Sequence, residues 1–365
     1  MTDNPPSCTK RNLPIRVLVV EDSPSMQEFL VYLFASDQEL QVIGTANNGQ
    51  EALMAVKNKK PDVITMDLRM PKMDGYTATR AIMESFPTPI VMVTDSSSID
   101  RMAMTINALE AGALAIIKRP AGIGDPDHAA TARELIQTVK LMSEVKVVKR
   151  WAQPKIPVPK DIKPIIPERA KARLVAIGSS TGGPLALKQL LSKLPKDFPI
   201  PLIIVQHIAQ GFTEGFVQWL AQSSGFPVSV ATHGELMQPG HAYVAPNNVQ
   251  ATVNFQGQIV LKNSGPENGH MPSASCLFRS VAAAYGPDAV GILLTGMGRD
   301  GAGELGLMKA KGAVTFAQDK ESSVIYGMPA EAVELGAASY VLPPGKIAAA
   351  LTKLVTQQGK SGACR

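Results

Sequence analysis

Ser180 stands in Gly178-Ser-Ser-Thr-Gly-Gly183, with glycine two residues before it and two after. The hexapeptide follows the apolar run Leu174–Ile177 and precedes a helix-compatible segment opened by Pro184. Strand, tight turn and helix is the context in which G-x-S-x-G holds a hydroxyl clear of the backbone, beside the free N–H groups of a helix N-terminus. Ser180, unlike Ser179, is flanked by both glycines, although the same hexapeptide also reads as a turn whose serines cap a helix. A serine nucleophile needs a base and a group that orients the base. His207 follows the apolar run Leu202–Val205, and Asp300 lies beyond Ala289–Leu294 in Thr295-Gly-Met-Gly-Arg-Asp-Gly301. All three then fall at the C-terminal ends of strands, where side chains from a parallel sheet converge. The glycines around Met297 permit close backbone approach and could present N–H donors to an oxyanion. His233, His241 and His270 sit in loop sequence and read as solvated.

A second group of chemistry-bearing residues lies in the first third of the chain. Glu21 and Asp22 follow the apolar run Ile15–Val20, and Asp67 follows Val63–Met66. Thr94 follows Ile90–Val93, and Lys118 follows Leu114–Ile117. Three converging carboxylates repel one another unless a cation sits among them. A few hard oxygen ligands suit Mg²⁺, which keeps water and bridges to phosphate. Thr94 and Lys118 would supply a hydroxyl and a positive charge to such a phosphate. Each residue alone reads most often as a cap or a surface charge; their placement, in this order, at four of the five strand ends does not.

The elements that must position these groups alternate regularly. Helix-compatible stretches at 24–36, 49–58, 75–86, 98–110 and 128–150 separate the five N-terminal runs. From Leu174 the alternation restarts, with further strand-like runs at Val228–Ala231, Ala242–Ala245, Ala313–Phe316 and Ser339–Leu342, and an antiparallel excursion near Val253–Leu261. Helices are expected at 184–194, 213–222, 273–285, 301–311 and 328–336. Alternating β and α with strands apolar throughout predicts two doubly wound, mostly parallel α/β sheets. Between them, five prolines over residues 153–167 favour extended chain. The expected organisation is therefore 14–150, a connector at 151–172, and 173–358.

Bulk composition excludes several classes. At 365 residues and 18% charged, with 45% hydrophobic residues, the chain suits a two-domain globular protein. No apolar run is long enough to span a membrane, and the first residues lack a signal-peptide core. Cys8, Cys276 and Cys364 form neither a disulfide framework nor metal-ligand spacing, so a cytoplasmic location is expected. The net charge of +5 comes from residues 146–173, where nine Lys/Arg face two acidic residues. A basic connector on otherwise slightly acidic domains is weak support for nucleic-acid binding, and none is expected.

Residues 15–125 resemble a response-regulator receiver domain on the strength of Glu21-Asp22, Asp67, Thr94 and Lys118. The resemblance implies a flavodoxin-like fold with Asp67 as phospho-acceptor from a histidine kinase. Mg²⁺ would be held by Glu21, Asp22, Asp67 and the carbonyl of Arg69, and Thr94 and Lys118 would sense the acyl phosphate. Departures are Glu21 for the commoner aspartate, Arg119 between Lys118 and Pro120, and Ala115 at a position that is commonly aromatic. Residues 174–357 resemble the catalytic domain of the chemotaxis protein-glutamate methylesterase through Ala176–Gly183, Gln206-His207, Gly211-Phe-Thr213, Pro239–Pro246, Leu294–Gly301 and Tyr326–Pro329. That resemblance implies Ser180 as nucleophile, His207 as base and then acid, Asp300 as its orienter, and Thr181 and Met297 beside the oxyanion. It implies hydrolysis of glutamyl methyl esters on chemoreceptors, deamidation of receptor glutamines, no cofactor in the catalytic domain, and activation by phosphorylation at Asp67. Where the family usually reads Arg-Pro-Ser-x-Asp, this chain has Met271-Pro-Ser-Ala-Ser275. That departure keeps open a non-catalytic alternative, a phosphate sink that only binds partners.

Overall fold

The computed structural model describes residues 13–94, 107–145, 147 and 172–360. These divide into two compact units, 13–94 with 107–147, and 172–360. The proline-rich basic connector, Trp151 and most of the helix expected at 98–110 lie outside the described residues; 107–111 are helical.

The first unit runs β1 (Ile15–Val20), α1 (Pro24–Ala35), β2 (Leu40–Ala46), α2 (Gly49–Lys59), β3 (Val63–Met66), α3 (Gly75–Ser85), β4 (Ile90–Thr94), β5 (Ala115–Lys118) and α4 (His128–Ser143). The five strands pair in parallel, in the order β2-β1-β3-β4-β5. Strands β3 and β4 are buried along their whole length, as continuous apolar runs covered on both faces must be. Local chemistry sets the helix starts: Asn48 accepts from the Gln50 and Glu51 N–H groups at α2, and Asp74 accepts from Thr77 N–H at α3. Helix α4 stops at Ser143, short of the expected 150. There the Ser143 hydroxyl donates to the Lys140 carbonyl, and the β-branched Val145 that follows weakens helix propagation.

The second unit runs β6 (Leu174–Ser179), α5 (Gly183–Leu191), β7 (Leu202–Gln206), α6 (Thr213–Ser224), β8 (Val228–Val230), β9 (Ala242–Val244), β10 (Gln250–Val253), β11 (Ile259–Lys262), α7 (Ala274–Ala284), β12 (Ala289–Leu293), α8 (Ala302–Ala310), β13 (Val314–Gln318), α9 (Met328–Glu334), β14 (Tyr340–Leu342) and α10 (Pro344–Lys360). A seven-stranded parallel sheet has the order β14-β13-β12-β6-β7-β9-β8, and β10-β11 form a separate antiparallel pair. The core centres on Leu174, Ile203, Phe278, Leu293 and Leu305, all fully buried. Burial of a side chain such as Phe278 contributes roughly 1.5–3 kcal/mol. The chain winds one way from β6 through β7 and returns on the other side at β12. This reversal opens a crevice at the C-terminal ends of β6, β7 and β12, where Ser180, His207 and Asp300 follow.

Candidate active site

The turn after β6 separates its two serines. Ser179 is buried, and its hydroxyl donates to Gln206 Oε1 at 2.7 Å. Ser180 is partly exposed, with its N–H on the Thr295 carbonyl at 3.0 Å. Gly182 has φ +81°, the left-handed region that favours glycine, and starts α5. Gly296 lets the β12 loop approach closely, since a Cβ there would sit 2.7 Å from Ser180 Cβ and 2.4 Å from Met328 Sδ. Gln206 ties the site together: its amide donates to the Ser180 carbonyl at 2.9 Å and to the His207 carbonyl at 2.8 Å.

His207 is nearly buried, and its Nε2 lies 2.9 Å from Asp300 Oδ2. Asp300 is buried at the start of α7, where it accepts from the Ser273 hydroxyl at 2.7 Å and the Ala274 N–H at 2.7 Å. Ser275 N–H adds a contact at 3.2 Å, and Asn268 Nδ2 one at 3.3 Å. Burial pushes the Asp300 carboxyl up, but the hydrogen bond and charge of His207, with the bonds from Ser273 and Ser275, outweigh it and hold the group well below the usual carboxylate range. An ionised Asp300 makes Nε2 the protonated nitrogen of a neutral His207 ring, so Nδ1 carries the lone pair. Nδ1 is buried and has no hydrogen-bond partner among the described residues. Thr181 and Met297 flank the same crevice, and among the described residues neither backbone N–H donates to a protein acceptor. The side chain of Met297 is exposed.

Two contributors were not legible in the sequence. His270, expected in solvent, stacks on His207 with ring centroids 3.9 Å apart and planes within 8° of parallel. Burial first, then the neighbouring His207, depress its pKa to about 4. His241, also expected in solvent, is only partly exposed, but it precedes β9 at the opposite strand end from the site and meets Ser229 Oγ at 2.9 Å. Gln250, fully buried, anchors the His270 loop by donating to the Gly265 and His270 carbonyls and accepting from Ser273 N–H. Loop residues gain these roles from α7 packing beside β10, which no local pattern announces. Ser275 also places its hydroxyl against Gly301 N–H at 2.9 Å, so this departure from the family pattern lies within the Asp300 support.

In the first unit, Glu21, Asp22 and Asp67 bring one oxygen each within 4.8 Å of one another. Glu21 and Asp67 are buried, Asp22 is exposed, and Thr94 is buried at the end of β4. Burial raises Glu21 to about 7, helped by the Asp67 charge; burial also raises Asp67, against the lowering effect of Arg119. Carboxylates this strained by desolvation and mutual repulsion fit a divalent oxygen-liganded cation. The Arg69 carbonyl accepts no hydrogen bond from the described residues. Lys118 is exposed and makes no ion pair among the described residues, whereas Arg119 reaches into the cluster.

Comparison with known proteins follows this division. Residues 17–130 match the response regulator receiver domain, and residues 175–351 match CheB methylesterase. The chain is 57% identical over 350 residues to the protein-glutamate methylesterase/protein-glutamine glutaminase of Nitrosospira multiformis, covering 95% of this chain and 99% of that protein. It is 53% identical to the corresponding enzyme 1 of Syntrophus aciditrophicus, over 93% of this chain and 98% of that one. Against enzyme 4 of Geobacter metallireducens it is 50% identical, over 94% and 100%. No described helix is long and apolar enough to cross a membrane. The chain therefore belongs to the protein-glutamate methylesterase/protein-glutamine glutaminase family.

Proposed function

We propose that the second unit is a serine hydrolase acting on glutamyl methyl esters and glutaminyl amides of methyl-accepting chemoreceptors, activated by phosphorylation of the first. Ser180 Oγ attacks the side-chain carbonyl carbon while His207 Nδ1 takes its proton. The oxyanion is held by the Thr181 and Met297 N–H groups, whose lack of protein acceptors supports that role. The C–O bond to the methoxy group breaks, and His207 returns the proton so that methanol leaves. Water then attacks the acyl-serine with His207 again as base, giving the free glutamyl side chain and restored Ser180. With a glutamine substrate the same sequence releases ammonia. Asp300 stays ionised throughout, holding the His207 tautomer and stabilising the imidazolium.

In the first unit Asp67 accepts a phosphoryl group from the phosphohistidine of a chemosensory kinase. Glu21, Asp22, Asp67 and the Arg69 carbonyl would hold Mg²⁺, which neutralises phosphoryl oxygens when bound. Thr94 offers a hydroxyl to the phosphoryl group, and Lys118 offers a charge from the β5 end.

The observation that carries the enzymatic reading is the buried, unpartnered Nδ1 of His207, on a ring held by Asp300 and His270. The test is methanol release from a methylated receptor fragment, with and without a small phosphodonor. Release that rises with phosphodonor and vanishes in Ser180→Ala supports the reading. Undiminished release in Ser180→Ala overturns the nucleophile assignment.

A further inference from the structure

Ser275 is buried in the first turn of α7, yet its hydroxyl reaches outside that helix. Its Oγ accepts the Gly301 N–H at 2.9 Å and the Asn268 side-chain amide at 3.2 Å. Its own N–H donates to Asp300 Oδ1 at 3.2 Å, and the Asn268 amide reaches the same oxygen at 3.3 Å. Asp300 is thus held at two points. The Ser275 hydroxyl fixes the backbone just after it, while Ser275 N–H and Asn268 fix its carboxylate. Asn268, at φ +52°, makes the turn between Glu267 and His270, which pair with each other. One serine therefore joins α7, the loop after β12 and the His270 turn. Every bond to its hydroxyl comes from a neutral group. His207 and His270 face Asp300, and Cys276, next on α7, lies near Glu267, Arg279 and Lys262. Arg279 pairs with Glu267 and with Glu304 of α8. Among the described residues, Asp300 is the only carboxylate hydrogen-bonded to His207, Asn268, Ser273 or Ser275.

We propose that Ser275 is a positioning residue for the hydrolysis, a neutral acceptor that fixes Asp300 from two sides without setting a second negative charge beside it. This role rests on the reading of Asp300 as the group that orients His207. Without the hydroxyl, the buried Gly301 N–H loses its acceptor and Asp300 is free to shift. A small displacement of the group that aligns the base costs rate rather than binding. A carboxylate at the same position would still accept from Gly301 N–H. It would also stand one amide group away from Asp300, and its charge would favour the imidazolium of His207. Serine in place of the family's usual aspartate therefore leaves the orienter supported.

Methanol release from a methylated receptor fragment, followed from about pH 5 to 9 in full-length wild type, Ser275→Ala and Ser275→Asp, tests this. Ser275→Ala is expected to lower kcat about tenfold with KM changed by less than about twofold. Its acid limb of kcat/KM should stay in place. Ser275→Asp is expected to move that limb up by about one pH unit, because the added charge raises the pKa of the base. Wild-type kcat in Ser275→Ala overturns the proposal, as does a loss confined to KM or to melting temperature. An unmoved acid limb in Ser275→Asp overturns it too. If Ser275→Ala does not fold, Asn268→Ala, at an exposed position, takes its place. There a kcat loss of about threefold or more at constant KM supports the role, and an unchanged kcat overturns it. Full release in Asp300→Asn would overturn the orienter reading and this role with it. An inactive Asp300→Asn beside a fully active Ser275→Ala would confine the failure to Ser275.

Discussion

His270 lies flat against His207, ring centroids 3.9 Å apart and planes 8° from parallel. The contact leaves the His207 ring little freedom to turn away from Asp300. His270→Ala is expected to lower kcat about tenfold, the scale of a small loss of alignment, with KM little changed. His270→Phe, which keeps a flat ring in the same place, should recover most of the loss. Equal loss in both variants would mean that the imidazole itself, not the stack, is required.

The same histidine sets a stability dependence on pH. Its folded pKa, about 4, lies below the ordinary value near 6.5, so the unfolded chain binds more protons between the two. Stability from this site is therefore complete above about 6.5 and lost as pH falls towards 4. Melting temperatures measured across that window should fall less steeply in His270→Phe than in wild type.

Asp300→Asn keeps the shape of the buried group and removes its charge. The His207 tautomer then loses its anchor, and a fall in kcat of about 10³–10⁴ is expected while the fold, read by circular dichroism, persists. A fall of less than about tenfold would show that the hydrogen bonds from Ser273 and Ala274, not the carboxylate, define Asp300's role.

Gly296→Ala places a methyl group 2.7 Å from Ser180 Cβ and 2.4 Å from Met328 Sδ. The flexible Met328 can move, but the Ser180 turn cannot without shifting the nucleophile. Destabilisation of about 1–3 kcal/mol is expected, with a kcat loss larger than any change in KM. A stable variant with full activity would show that the two loops separate easily.

Asp67→Asn removes the acceptor oxygen while leaving the second unit untouched in sequence. Basal methanol release should persist, and the increase on adding phosphodonor should vanish. An increase that survives the substitution would place the acceptor elsewhere.

Much of this protein was legible before any coordinates. Apolar runs of strand length alternating with helical stretches define both sheets because burial on two faces demands continuous apolar sequence. Most strand ends fall within two residues of expectation, from Ile15–Val20 to Tyr340–Leu342. Ser180, His207 and Asp300 were readable for the same reason: each follows a buried strand, and such sheets gather their side chains at one edge. Only the tertiary structure decided which imidazole nitrogen faces Asp300, that His270 stacks half-buried on His207, and that Arg119 rather than Lys118 enters the acid cluster. None of these is a property of local sequence. Loop residues take their contacts from whichever elements pack beside them, so the stack of His270 depends on α7 meeting β10, and the seat of Arg119 on β5 ending two strands away from Asp67.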